Sequence, residues 1–262
     1  MNGRMHNYPG RKWLKHESLW SEEEIRPHLP ETELFSADSF TRMVDKHPVV
    51  FLKPDLGMKG QGVIKVTKDG DDIVVRTATS THTYTTPTAA ARKLEQLIGT
   101  QRYLVQQGVD LIRIKGHPID FRLLLHLKSN REWRFFGVMG KVAARNRFVT
   151  NHARGGKALG LPQALSHAFG ITKEEEAEWD DRMKQVALRI AKAMKKHFPN
   201  ITELGLDVGI DTSERIWLIE ANTRPHYQLF RHHSDPTLFR KIVTSVRALR
   251  AQHFRKLPAK SV

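Results

Sequence analysis

LKPDLGMKGQG, residues 52–62, is the stretch on which the fold of this chain turns. It continues PVVF (48–51), a run of apolar residues that reads as a buried strand stopping at Pro54. Lys53 stands at the end of that strand. Gly57, Gly60 and Gly62 then let the backbone approach a ligand closely and present its amides. No Gly-Lys-Ser/Thr closes the loop, so the pattern is not that of a Walker loop. It is not a Rossmann turn either, because GVIKVTK (62–68) has strand composition rather than helix composition. Strand, glycine loop, strand is the arrangement by which a flap covers nucleotide phosphates, as in kinases. Taken alone, the same residues read equally as an ordinary hairpin loop.

A second stretch bears on the same chemistry. GLDVGID (205–211) and IWLIEAN (216–222) form a hairpin pattern across TSER. Glu220 and Asn222 are two residues apart, which places them on one face of a strand. Asp207 lies on the preceding strand and can face them. Two carboxylates and an amide oxygen suit Mg²⁺, a hard cation that shares its shell with phosphate. The alternative is a buried ion pair between Glu220 and Arg224 or a lysine, since a carboxylate within WLIEAN needs a partner if buried. Asp211 fits hairpin-turn chemistry instead. Between the two stretches lie Asp120-Phe121-Arg122, then Lys141, Arg145 and TNHARGG (150–156). Arg122 alternates with apolar residues, so it points away from Phe121 and Leu123. Beside a metal site it would suit a transferring phosphoryl group; alone, each of these cations is also an ordinary surface charge.

Working outward, strand-like and helix-like segments alternate without repeats or low-complexity linkers. Residues 12–25 have helical composition and end before Pro27. Ser36 caps a helix to about Lys46, and Thr86 with Pro87 opens one to about Ile98. Strands are expected at 48–54, 62–68, 73–78, 81–86 and 103–109, with antiparallel partners at 119–128 and 132–143. Thr172 and Glu175 form a capping box for a helix to about His197, and a last helix runs from about 236 to 253. This is an α+β pattern with mostly antiparallel sheets. A smaller lobe is expected at 1–105, a larger one at 106–256, and a basic tail at 257–262.

Composition narrows the function. Lys and Arg total 43 against 28 Asp and Glu, a net charge of +15. Such a chain attracts anions, although a solvated basic surface accounts for much of the excess. A nucleic-acid binder is not expected, because the charge is not gathered into one stripe. The absence of cysteine excludes disulfides, thiolate nucleophiles and cysteine-zinc sites. Apolar runs such as FRLLL and IWLI are too short to span a bilayer. The opening residues lack the apolar core of a secretory signal, so the cytoplasm is the default compartment. Fourteen histidines include no HExxH pattern, and no GxSxG is present.

In this order the segments RKW…LPET, FLKP…GMKGQG, YLVQQGV, PIDFRLLL, VTNHARGG and GLDVGID…LIEAN resemble the ATP-grasp superfamily. Within it, they resemble the YheC/YheD endospore coat-associated family, over roughly residues 11–250. The resemblance implies two α+β lobes holding ATP in the cleft between them, with Mg²⁺ as the second cofactor. It implies that Lys12 and Lys53 are the two ATP lysines and that the loop Gly57–Gly60–Gly62 closes over the β- and γ-phosphates. Gln106, Gln107, Gly108 and Val109 would form the hinge that meets adenine, largely through backbone groups. Arg122 would lie near the γ-phosphate, with Lys141 and Arg145 as further cations. Asn151, Gly155 and Gly156 would line the reacting end, and Asp207, Glu220 and Asn222 would hold the metal. Two departures stand out. Lys12 already occupies the first lobe's position, so the α/β domain that usually precedes the lobes is expected to be missing, which leaves room for a partner or second subunit. Gln106 and Gln107 stand where many relatives have glutamate. The implied activity is ATP-dependent joining of a carboxylate to an amine, with an acidic or peptidic polymer among the expected substrates and a link to spore coat or cell-envelope material. The alternatives are a kinase on the same fold and a non-catalytic ATP-binding scaffold of the spore coat.

Overall fold

A computed structural model of the chain describes residues 9–57, 60–144 and 157–255. Arg145, Asn151, Gly155, Gly156 and the expected tail at 257–262 lie outside the described residues, as do Met58 and Lys59 of the glycine loop. Two antiparallel sheets dominate. The first contains β1 (Thr32–Leu34), β2 (Val49–Pro54), β3 (Ile64–Asp69), β4 (Asp72–Arg76), β5 (Thr81–Tyr84) and β6 (Tyr103–Gln107), in the order β1-β6-β2-β3-β4-β5. The second contains β7 (Arg113–Ile114), β8 (His117–Leu127), β9 (Trp133–Val142), β10 (Lys157–Leu159), β11 (Glu203–Ile210) and β12 (Ile216–Asn222). Its order is β10-β9-β8-β11-β12, with β7 beside β8.

Each sheet buries one face under helices whose starts are written locally. On the first sheet lie α2 (Ala37–Lys46) and α3 (Pro87–Ile98), capped by Ser36 and Thr86 as expected. Phe40 and Met43 of α2 and Leu94 of α3 pack onto Val50, Leu52 and Val105. On the second sheet lie α4 (Leu161–Phe169) and α5 (Lys173–His197). The expected box at the start of α5 is present: the Glu175 carboxylate accepts from the Thr172 amide at 2.7 Å, and Thr172 Oγ1 accepts from the Glu175 amide at 3.3 Å. The opposite face of the second sheet is half covered. Leu124, Phe136 and Met139 lie under α6 (Leu238–Arg255) and the turn Gln228–His232. The other half stays open and forms one wall of a cleft.

Helix α1 covers Lys12–Trp20, not the whole of the expected 12–25. Glu22, Glu23 and Glu24 would crowd its negative C-terminal end. The chain turns instead, and Glu22 meets Lys196 at 2.8 Å and His197 at 2.6 Å on α5. Ile25 and Leu29 then reach the same core as Leu19. That core belongs to the second sheet, so the first helix of the chain packs against strands that come last.

Candidate functional site

The open faces of the two sheets enclose a cleft of about 910 Å³. Strand alternation decides which residues reach it. Along β2, Val50 and Leu52 enter the core while Val49, Phe51 and Lys53 face the cleft. Along β8, Phe121 and Leu123 are fully buried while Asp120 and Arg122 face it. Cross-strand register then sets Lys141 opposite Asp120, Arg122 opposite Asp207, and Asp207 opposite Glu220. Asn222 lies opposite Gly205, one step along the same face.

Asp207 is the electrostatic centre of this wall. Its Oδ1 accepts from Arg122 Nε at 2.8 Å and Lys141 Nζ at 2.7 Å. Its Oδ2 accepts from Arg122 Nη2 at 2.8 Å and Asn222 Nδ2 at 3.1 Å. Burial alone would raise the Asp207 pKa, but Arg122 and Lys141 outweigh it and hold the carboxyl well below the usual range. Lys141 also meets Asp120 at 3.0 Å. Arg122 spends its remaining nitrogen on the His226 carbonyl at 3.3 Å.

The facing wall is less paired. Lys53 Nζ donates to Gln106 Oε1, and Gln106 Nε2 donates to Thr32 Oγ1 at 2.9 Å. Burial lowers the Lys53 pKa to about 8, with Glu220 opposing the shift and Lys12 adding to it. Lys12 opens α1, donates to the Gly57 carbonyl at 3.0 Å and lies 3.6 Å from Glu220. The cation beside Glu220 is therefore Lys12. Gln106, Gln107, Gly108 and Val109, the residues expected as the hinge, line the cleft, but two of their amides are already taken: Gln107 donates to the Glu31 carbonyl and Gly108 to the Val49 carbonyl, both at 2.8 Å.

The loop leaves β2 with Gly57 at φ +154° and returns with Gly60 and Gly62 at +66° and +71°. At Gly62 a Cβ would stand 2.8 Å from the Tyr103 hydroxyl and 2.9 Å from Pro54 Cγ. Tyr103 donates to the Gly62 carbonyl at 3.1 Å, fixing the return of the loop. Gly62→Ala is expected to cost about 1–3 kcal/mol through the positive φ and the clash, read by urea denaturation without nucleotide.

The structure thus brings Lys12, Lys53, Gly57, Gly60, Gln106–Val109, Arg122, Lys141, Asp207, Glu220 and Asn222 to one cleft, with Gly62 just behind it. Residues not singled out as site residues also bear on it. Asp120 shares the face of Arg122, a spacing of two that signals it; Lys15 does not line the cleft but donates from behind it to the Ala221 carbonyl at 2.5 Å. Nothing local in the sequence marks Lys15.

The donor set limits how Mg²⁺ fits. Among the described residues no three His, Cys, Asp or Glu side chains gather closely enough to hold a metal ion. The acceptor positions of Asp207 are filled by four donors. Glu220 is partly open to the cleft, and Asn222, with Nδ2 turned to Asp207, keeps its carbonyl oxygen for another partner. The residues present fit a cation held by Glu220 and Asn222 and completed by phosphate oxygens and water. Asp207 could join only if one of its donors turned away.

A family model described as YheC/D like ATP-grasp matches residues 4–248. The chain belongs to that family. Two curated relatives from Bacillus subtilis (strain 168) are similar to this ATP-grasp chain. The endospore coat-associated protein YheD is 27% identical over 84% of the chain and 49% of the relative. The endospore coat-associated protein YheC is 24% identical over 82% of the chain and 59% of the relative. The chain spans about half the length of these relatives. Among solved structures, D-cycloserine synthetase DcsG superposes with a TM-score of 0.56 at 11% identity, covering 91% of this chain and 70% of that one. An ADP complex of purK, an N5-carboxyaminoimidazole ribonucleotide synthetase, gives 0.52 at 14% identity, covering 84% and 46%. These likenesses establish the ATP-grasp fold. No helix among the described residues is long and apolar enough to cross a membrane.

Proposed function

We propose that this ATP-grasp protein is an Mg²⁺-ATP-dependent ligase that activates a carboxylate as an acyl-phosphate and joins it to an amine. The observation that carries the reading is one cleft with Lys12 and Lys53 beside the glycine loop, Arg122 and Lys141 opposite in a paired cluster with Asp207 and Asp120, and Glu220 and Asn222 at the join. A substrate carboxylate oxygen attacks the γ-phosphorus while the bond to the β-phosphate oxygen breaks, and ADP leaves. An amine then attacks the acyl carbon, phosphate leaves, and the amine proton passes to solvent. The first step needs positioning and charge neutralisation more than acid–base groups. Lys12 and Lys53 would hold the phosphates, Arg122 and Lys141 the transferring group and the acyl-phosphate. When bound, Mg²⁺ supplies charge neutralisation between the phosphates. The first sheet with α2 and α3, and the second sheet with α1, α4, α5 and α6, would be the two lobes that hold the nucleotide, with α1 linking the second to the glycine loop. The coat association of the relatives suggests substrates among spore coat or cell-envelope material.

The test is incubation with Mg²⁺, ATP and pools of amino acids, peptides and acidic polymers. ADP with a product lighter by one water than its summed substrates supports the ligase. A product heavier by one phosphoryl group makes the protein a kinase. Glu220→Gln with Asn222→Ala should lower turnover by about 10²–10³-fold while the double variant stays folded, because both side chains face the cleft. Parental turnover in that folded variant would refute their role.

A further inference from the structure

Helix α1 makes three polar attachments to the site, and none of them is explained by packing. Its own N-cap, Arg11, supplies no side-chain cap, and its first turn contains no acidic residue. The cap comes from 44 residues further on. Asp55, the first residue after β2, is 1% exposed and accepts from the Trp13 amide at 2.9 Å. Its backbone carbonyl accepts from the Lys12 amide at 3.0 Å. Arg11 at 3.0 Å and Arg102 at 3.6 Å balance its charge. A carboxylate at a helix N-terminus is favourable with the dipole and with the unpaired amides there. Here that carboxylate belongs to the glycine loop, so the loop and the helix start are one unit.

One turn along α1, Lys15 is buried and donates to the Ala221 carbonyl at 2.5 Å. Ala221 lies between Glu220 and Asn222 on β12, an edge strand of the second sheet. A buried lysine is a costly way to satisfy one edge carbonyl. Between these two attachments Lys12 reaches Gly57 of the loop and approaches Glu220. The helix therefore fixes the distance between the phosphate loop and the Glu220–Asn222 pair.

We propose that α1 is a strut that keeps the glycine loop in register with Glu220 and Asn222, and that Asp55 and Lys15 are the positioning residues at its two ends. The consequence for ATP rests on the nucleotide reading above; the mechanical coupling does not. Asp55→Asn keeps the shape and removes the charge. Lys15→Met keeps the apolar stem and removes the ammonium, so it folds even if the first variant does not.

Amide hydrogen exchange on nucleotide-free protein tests the coupling. Asp55→Asn should speed exchange at 219–222, and Lys15→Met should speed it at 60–63, each at the end remote from the change. Acceleration confined to the substituted end overturns the strut. ATP titration tests the consequence. Either variant should weaken ATP by about tenfold, the weight of one charge-assisted hydrogen bond. The loss should shrink in a Lys12→Ala background, because both residues act through Lys12. Equal losses with and without Lys12 would make them independent supports and overturn their positioning role. Remote exchange coupling in a parent that binds no ATP would keep the strut and refute the nucleotide reading.

Discussion

Asp207→Asn is expected to destabilise the fold by about 3–5 kcal/mol at pH 7, because it leaves two buried cations facing an amide. Arg122 and Lys141 meet both oxygens of Asp207 at 2.7–2.8 Å, and the three side chains are only 9–14% exposed. Denaturant melting measures the loss. A change below about 1 kcal/mol would mean that water reaches the cluster and screens it as on a surface. Acid gives an independent check. Asp207 has a folded pKa below its unfolded value, so its contribution is complete above the unfolded range near about 4 and fades as pH falls below it. The parent should therefore lose stability progressively below that range, and Asp207→Asn should lose less over the same interval. Replacing Arg122, Lys141, Asp207 and Asp120 together by Met, Met, Leu and Leu, so that Asp120 does not lose Lys141 and stay charged, should restore much of the stability and none of the activity. Recovery of stability without function would separate the cluster's chemistry from its packing.

How much of this was legible depends on distance along the chain. The caps at Ser36, Thr86 and Thr172 were readable because each acts within three residues. The alternation that turns Arg122 away from Phe121 and Leu123 was readable for the same reason. Strands β1 and β10, three residues each, carry too few positions to show a period. The pairing of Asp207 with Arg122 and Lys141 was not readable. It depends on the register of β8, β9 and β11, which brings together residues 85 and 66 positions apart. The sequence offers Asp207 as a metal ligand; the structure gives its oxygens to four donors. Glu220 was expected to face Arg224 or a lysine if paired, and only the placement of α1 identifies Lys12. Lys15 lay furthest from sight, because its partner is 206 residues away, and Asp55 likewise meets α1 only across 42 residues.

The contrast between the two walls carries over to Lys53. Its partner is the neutral amide of Gln106, so unlike Arg122 it anchors no buried carboxylate. Lys53→Met takes a desolvated charge out of the cleft but leaves Gln106 Oε1 without its donor. The first change stabilises, the second costs about 1–3 kcal/mol, and the two should nearly offset. Nucleotide-free melting should stay within about 1 kcal/mol of the parent, while ATP affinity at pH 7 should fall by about 10–100-fold, as for loss of a charge-assisted contact to phosphate. The pH dependence follows from the lowered pKa of about 8. Between that value and about 10.4, the unfolded lysine holds a proton that the folded one has released. Stability therefore rises with pH across this window, and the rise should disappear in Lys53→Met. ATP needs the ammonium, so affinity should move the other way, declining above pH 8 in the parent and less steeply in the variant. A fall in stability of several kcal/mol with ATP affinity unchanged in the folded fraction would assign Lys53 to the framework. The glycine loop would then have no lysine at its base to hold phosphate.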